Sequence, residues 1–356
     1  MKDDQRTLPR RALLTGALGT AGTLALAAPA DASPRPRPRV RPRVLIATNE
    51  PWGTYHVRPL LAEAARRGWR LTQLVPDLSG IEPGDPVPVA TPRDAPRADL
   101  LVVTGADDWP LECVRRFGEL PRAASSLAYL GPEEAPGADR VRHRLRLVTA
   151  SSPAEARSFG GYLGTRRRVR VVGSPQTDDL PERAPEPGLV LVITSVTRPD
   201  GTGGAAPGTE LLLAAAERLR AAGKRILVGL HPREDRSLWE RYEISDVPTL
   251  RASARAEAAI GIPGTIFPLI AAVGTPVVGC TDPALSVPDY LLSVCSTTIG
   301  AADQAVPAVT GARLPDASVL ADAVGPVGGS AARLLDAWAR AAAHHGRARD
   351  GNHPTM

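Results

Sequence analysis

The sequence predicts an α/β protein of two domains, each built on a doubly wound parallel sheet. Short apolar runs such as residues 44–48 (VLIAT) and 189–195 (LVLVITS) alternate with stretches of helical spacing, the pattern of strands buried on both faces. A chain of 356 residues with 43% hydrophobic and 23% charged content is long enough for two cores. Residues 181–188 (PERAPEPG) have the proline and charge content of a linker and divide domain 43–180 from domain 188–328.

Ahead of these domains, Arg10 and Arg11 precede an apolar run at 12–28, and Ala30-Asp31-Ala32 offers a cleavage site before Ser33. The segment 1–32 resembles a twin-arginine (Tat) signal peptide. That resemblance implies passage through the Tat translocase and an extracytoplasmic or membrane-associated protein; a tether on the cytoplasmic face is the alternative. Residues 33–42 (SPRPRPRVRP) form a polyproline-like linker extended by its own charge. The net charge of +5 comes from Arg interleaved with Asp and Glu, which gives no nucleic-acid footprint. Three cysteines, Cys113, Cys280 and Cys295, cannot all pair, and their spacing makes no metal site; a Cys280–Cys295 bridge is the one pairing considered.

In the first domain a strand at 44–48 leads through the loop NEPWGTY to a helix at 56–67, a turn at Gly68 and a strand at 69–75. After a Pro-rich acidic loop at 81–96, a strand at 99–104 and a helix at 109–117 follow. Further strands are expected at 127–130 and 145–150, then a helix at 153–160 capped by Ser151 or Ser152. A strand within 168–180 closes the domain.

In the second domain, strand 189–195 runs into a glycine-rich loop expected to face the cleft, then a helix at 209–222 stopped by Gly223. The strand at 226–230 ends in His231-Pro232-Arg233, and carboxyl ends of parallel strands are where such sheets place ligand contacts. Residues 247–259 supply a strand-and-helix piece. Residues 259–279 (AIGIPGTIFPLIAAVGTPVVG) read as a turn at Gly261 and Gly264, a helix at 266–273 capped by Thr265, and a second turn at Gly274 and Pro276. A glycine turn feeding a helix directs unpaired N–H groups at an anion, or else simply connects strand to helix. The stretch 282–325 looks loop-like apart from a strand near 297–299; Ser330 is expected to cap a terminal helix within 329–346, before a mobile tail at 347–356.

Gly53, His56, Pro59, Arg67 and Gly68 fit the loose pattern G-x-x-H-x-x-P, helix, R-G-H-x-V with which many GT-B glycosyltransferases open, with Trp69 in place of the last His. Gly173, Pro175 and Asp178 are similar to the G-x-P-x-x-D that ends the first domain in these enzymes and their epimerase relatives. The His231-Pro232 dipeptide resembles that of polymer transferases of the teichoic-acid type and of sialyltransferases. Gly264, Thr265, Gly274, Thr275, Pro276, Val277 and Val278 resemble the GT-B donor-site element. That element commonly carries Glu for the ribose hydroxyls where this chain has Leu269 or Ile270, and an unpaired buried hydroxyl costs about 1–3 kcal/mol.

The resemblance implies two Rossmann-like domains with parallel sheets facing a central cleft, and a terminal helix crossing back onto the first. It implies metal-independent transfer of a sugar or polyol phosphate from a nucleotide-sugar or CDP-polyol donor to a carbohydrate or wall-polymer hydroxyl, with no resident cofactor. His56 is then the general base and His231, Arg233, Gly264 and Thr265 hold the donor phosphates. Gly53, Gly173, Gly274, Thr275 and Pro276 are expected elsewhere along the cleft. Two other readings stand beside it: an exported scaffold that has lost catalysis and binds carbohydrate, wall polymer or protein, and, ranked last, an epimerase, for which the cleft loops offer few carboxylates beyond Glu50, Asp282 and the Asp107-Asp108 pair.

Overall fold

The computed structural model describes residues 41–129, 137–198 and 204–350. The expected signal peptide, most of the linker at 33–42, the middle of the glycine-rich loop and the last residues of the tail lie outside these. The first half holds strands β1 (Arg43–Ala47), β2 (Arg70–Leu74), β3 (Val89–Ala90), β4 (Leu100–Val103), β5 (Arg122–Ser125), β6 (Leu145–Ala150) and β7 (Arg170–Val171). Between them run helices α1 (Leu61–Arg67), α2 (Asp108–Arg116), α3 (Ala138–Arg142) and α4 (Pro153–Tyr162). The second half holds β8 (Leu189–Ile193), β9 (Arg225–Gly229), β10 (Glu243–Ile244), β11 (Ala258–Gly261), β12 (Val277–Cys280) and β13 (Cys295–Ile299). Its helices are α5 (Thr209–Ala221), α6 (Thr249–Ser253), α7 (Phe267–Val273), α8 (Asp289–Ser293), α9 (Ala305–Thr310), α10 (Ala317–Val324) and α11 (Ser330–Asp350).

Every strand pairing is parallel, in the orders β3-β2-β1-β4-β5-β6-β7 and β10-β9-β8-β11-β12-β13. Each sheet grows outward from its first strand on one side and then reverses, so the reversal points lie between β1 and β4 and between β8 and β11. Loops leaving adjacent strands there part to opposite faces and open a crevice at the carboxyl ends.

The period of two along each strand fills both faces of both sheets. Val44 and Ile46 pack with Leu100 and Val102 on one face of the first sheet, Leu45 and Ala47 with Leu101 and Val103 on the other. In the second sheet Leu189 and Leu191 face one core, Val190 and Val192 its opposite.

Helix α11 packs on the first sheet, although it follows the second in the chain. Leu334, Leu335 and Trp338 are fully buried among residues of β1, β4 and β5, each worth about 1.5–3 kcal/mol of burial for a side chain of this class. The Trp338 indole N–H donates to Ser125 Oγ at 2.9 Å. The expected Ser330 cap is corrected: Asp178 caps this helix, accepting from the N–H groups of Ser330 at 2.7 Å and Ala331 at 2.8 Å. The Ser330 hydroxyl instead accepts from Arg333 at 2.9 Å.

The expected strand at 127–130 is also displaced: β5 is the preceding RAAS segment. Its small residues carry little apolar signal, and Arg122 is buried with its guanidinium donating to the carbonyls of Arg140 at 3.0 Å and His143 at 2.6 Å. The helix expected from His56 becomes two 3-10 turns (Thr54–His56 and Arg58–Leu60) before α1, as Pro59 has no N–H to close an α-helical bond onto the residue four before it. The stretch 282–325 is not loop-like but holds α8, α9 and α10, each eight residues or shorter. Cys280 lies opposite Ile299 while Cys295 lies opposite Val277, so the register does not pair the two residues across β12 and β13, and all three cysteines are free.

Candidate functional site

A cavity of about 380 Å³ opens where the reversal points predict a crevice. Asn49, Glu50 and His56 reach it from the loop after β1, and Thr104 and Asp107 from the loop after β4. Leu127, Ala128 and Tyr129 follow β5, Tyr162 ends α4, and Thr265 enters from the loop after β11 of the second sheet. A larger open depression of about 620 Å³, lined by Arg93, Glu112, Arg115 and Arg116 among others, lies elsewhere on the first domain and has no buried unpaired polar atom in its lining.

The loop after β1 is held from below. Gln73, fully buried on β2, donates to the Pro51 carbonyl at 2.7 Å and to Thr48 Oγ1 at 3.3 Å. Thr54 Oγ1 donates to Asp85 Oδ2 at 2.5 Å, which also accepts from Arg58 at 3.0 Å. Gly53 donates its N–H to the Glu50 carbonyl at 2.8 Å, and a Cβ there would stand 3.1 Å from that oxygen. These contacts bring Glu50, Tyr55 and His56 together: the Tyr55 hydroxyl donates to the Glu50 carboxylate, and its ring lies 4.2 Å from the imidazole. Burial lowers the His56 pKa from its usual range, with the Glu50 charge opposing. Its Nδ1 is enclosed and has no hydrogen-bond partner, as is Asn49 Oδ1. A neutral imidazole with an unused nitrogen suits a general base. The Tyr55 phenol is raised by burial and by Glu50, and is a donor at neutral pH.

Across the cleft, β9 delivers His231 and Arg233. The His231 N–H donates to Thr194 Oγ1 at 2.7 Å, tying the turn to the end of β8, and its Nδ1 accepts from the Arg233 N–H at 3.2 Å. With Nδ1 an acceptor, the neutral ring carries its proton on Nε2 and presents a donor. Burial and the neighbouring Arg233 charge lower the His231 pKa, while Glu50 and Glu234 oppose. Among the described residues the exposed Arg233 guanidinium makes no hydrogen bond or ion pair. Its charge lowers the pKa of Tyr55, as the charge of Glu50 raises that of His231, so the two loops face one another.

Beneath this turn the buried Glu234 carboxylate accepts from the Thr197 N–H at 3.1 Å, the Thr197 hydroxyl at 2.8 Å and the Asp235 N–H at 2.8 Å. On the other wall the Tyr162 hydroxyl donates to Asp107 Oδ1 at 3.2 Å and accepts the Ala106 N–H at 3.1 Å. Among the described residues no three His, Cys, Asp or Glu side chains gather as metal ligands.

The expected site is thus assembled in part. His56 and Thr265 share the cavity, and Gly264 adjoins Thr265 in the same loop. Thr265 does not cap α7: the cap position is Ile266 with no side-chain bond, and Thr265 is exposed. Four residues expected along the cleft lie elsewhere. Gly274 closes α7 with φ of 95°, Thr275 is buried with its hydroxyl on the Ser253 carbonyl at 2.8 Å, and Pro276 leads into the amino end of β12, whereas the cavity is at carboxyl ends. Gly173 lies under the start of α11, where a Cβ would come within 2.4 Å of the Pro326 carbonyl. The motif residues Gly173, Pro175 and Asp178 therefore mark the seam to the terminal helix rather than the ligand site. Leu269 and Ile270 are buried in the core, so that stretch of α7 gives the cleft no polar contact. Conversely, Asn49, Tyr55, Thr104 and Tyr162 line or adjoin the cavity without any spacing in the sequence that announces them.

No family model matches the chain, and no curated protein matches it. Solved structures do. The UDP-GlcNAc 2-epimerase of Methanocaldococcus jannaschii aligns with a TM-score of 0.53 at 11% identity, covering 83% of this chain and 98% of that one. The wall teichoic acid polymerase TagF aligns at 0.56 and 9%, covering 88% and 90%. S. aureus MnaA, solved with UDP, aligns at 0.56 and 12%, covering 83% and 95%. At such identities the likeness speaks to architecture, and the architecture of this chain is GT-B-like: two Rossmann-like parallel-sheet domains facing a cleft.

Proposed function

We propose that the chain is a nucleotide-donor transferase of the GT-B type, moving a sugar or polyol phosphate onto a hydroxyl acceptor in the synthesis of a cell-envelope polymer. One observation carries the reading: the neutral His56 and its Glu50 and Tyr55 partners stand opposite His231 and an unpaired Arg233, with Thr265 entering the same cavity. The structural likenesses add that a TagF variant has been solved with CDPG, S. aureus MnaA with UDP, and the M. jannaschii epimerase with UDP-GlcNAc and UDP.

In this reading the acceptor hydroxyl loses its proton to His56 as its oxygen attacks the donor. Attack at the anomeric carbon breaks the bond to the diphosphate and releases a nucleoside diphosphate. Attack at the outer phosphorus of a CDP-polyol breaks the phosphoanhydride and releases CMP. His231 Nε2–H and the Arg233 guanidinium would offset the charge growing on the leaving group, Arg with two parallel donors. Gly264 and Thr265 would bound the donor phosphates. A Tat signal at residues 1–32 would put the work outside the cytoplasm or at its membrane, where the donor would have to be supplied.

A second reading follows from Glu50 and Asp107, two of the carboxylates an epimerase would need, since both line the cavity. The products separate the two: a transferase releases free nucleotide in step with acceptor consumed, while an epimerase returns an intact nucleotide sugar. Incubating the full chain with UDP-GlcNAc or CDP-glycerol and following nucleotide release tests the proposal. His56→Ala should lower any turnover by about 100-fold or more, the range of general-base catalysis. Unchanged turnover in that variant would remove His56 from the chemistry, and nucleotide released in step with acceptor consumed would exclude the epimerase.

A further inference from the structure

Trp52, in the loop that carries Glu50 and His56, is the one exposed tryptophan among the described residues, with 40% of its surface accessible. It is not loose. Its indole N–H donates to the Asp77 carbonyl at 3.1 Å, and the Asp77 carboxylate in turn accepts from the N–H and hydroxyl of Ser79 at 2.8 and 2.5 Å. The ring lies directly on Gly80: a Cβ there would stand 2.4 Å from indole Cδ1 and Cγ. One side of the ring is therefore seated on backbone, its single polar atom is already satisfied, and the remaining surface faces water. Tyr55, 44% accessible, is held by its bond to Glu50, and Leu78, 59% accessible, sits in the turn that cradles the indole.

Aromatic surface held exposed in the loop that supplies Glu50 and His56 to the cavity marks a binding surface, since solvent-facing aromatic area is otherwise unfavourable. We propose that Trp52 is a stacking platform for a pyranose ring of a neutral saccharide chain whose end enters the cavity. This rests on the transferase reading for the role of that chain as acceptor, though not for the contact itself. The C–H face of a pyranose offers apolar surface to the indole, and its hydroxyls match the carboxylate, amide and phenol groups of Glu50, Asn49 and Tyr162. The carboxylates of the lining, Glu50 and Asp107, come from the first domain, while the basic groups that face the cleft, His231 and Arg233, belong to the donor side, so the Trp52 loop suits a neutral chain better than a phosphate-bearing one.

The test is binding without nucleotide. The full chain is titrated with cellotetraose, mannotetraose and chitotetraose, followed by tryptophan fluorescence and saturation-transfer NMR, beside Trp52→Ala, Trp52→Phe and Gly80→Ala. At least one saccharide should bind with a Kd of about 1 mM or below. Trp52→Ala should weaken it by about tenfold, equal to about 1.4 kcal/mol, with Trp52→Phe retaining part of the affinity. Gly80→Ala, which displaces the indole without removing it, should also weaken binding. Binding of none of the three, or affinity unchanged in Trp52→Ala, overturns the proposal. So does a Trp52→Ala variant that loses uridine or cytidine binding while keeping saccharide, which would make the platform one for a base. Loss of the transferase reading alone would appear instead as absent nucleotide binding with Trp52-dependent saccharide binding intact.

Discussion

Glu234 and Thr197 lock two loops of the second sheet together: the carboxylate takes both the N–H and the hydroxyl of Thr197, while the Glu234 N–H donates to the His231 carbonyl at 2.9 Å. The turn bearing His231 and Arg233 is thereby fixed to the loop leaving β8, on the far side of the sheet's reversal point from Thr265. Glu234→Ala removes three accepted hydrogen bonds from a buried position, with an expected cost of about 1–3 kcal/mol by urea denaturation. Glu234→Gln keeps the shape and should lose less. Because the turn aims Arg233, both variants should also weaken nucleotide binding. A Glu234→Gln protein with full stability and unaltered nucleotide affinity would show that the lock does not position the turn.

Asp178 and Asp322 both join distant parts of the chain, yet they should differ in worth. Asp178 caps α11 with two bonds to backbone N–H groups at a partly buried helix start, and Asp178→Ala should cost about 1–2 kcal/mol. Asp322 pairs with Arg157 through two bonds of 3.0 and 2.6 Å, but the side chains are 45% and 66% exposed. Asp322→Asn should change stability by about 0–1 kcal/mol. Denaturant midpoints of the two variants check the order; equal losses would contradict it.

Burial lowers the pKa of both His56 and His231, so near their ordinary value of about 6.5 the unfolded chain binds protons that the folded chain does not. Stability should therefore be unaffected by these groups well above about pH 6.5 and fall as pH drops below it toward the folded values. Thermal unfolding between about pH 7.5 and 5.5 should show a falling Tm, with a smaller slope in His56→Asn. An identical slope in that variant would mean that His56 is as readily protonated folded as unfolded.

Much of the architecture was legible because buried parallel strands announce themselves: β1, β4 and β8 carry continuous apolar runs with both faces filled. Where the code is not apolar, the reading failed. The strand β5 is built of Arg122, Ala123, Ala124 and Ser125, and a buried arginine whose terminal nitrogens bond carbonyls leaves no signal. The edge strands β3 and β10 are two residues each and too short to show periodicity. Motif glycines misled in a different way: Gly173 and Gly274 serve a helix seam and a helix end, uses that a one-dimensional pattern cannot separate from ligand contact. His231 was visible as chemistry at a strand end and His56 through the resemblance of its loop to the G-x-x-H-x-x-P pattern, whereas Tyr162 and Asp107 meet only through the fold.

The central claim is that the cleft holds a nucleotide with its phosphates on the His231–Arg233 side. Calorimetric titration of the full chain with UDP, CDP and GDP at matched ionic strength tests it most directly. The account predicts that one of them binds with a Kd of about micromolar order and that His231→Ala or Arg233→Ala weakens it by about tenfold or more. No binding of any of the three, or binding indifferent to both substitutions, would contradict it.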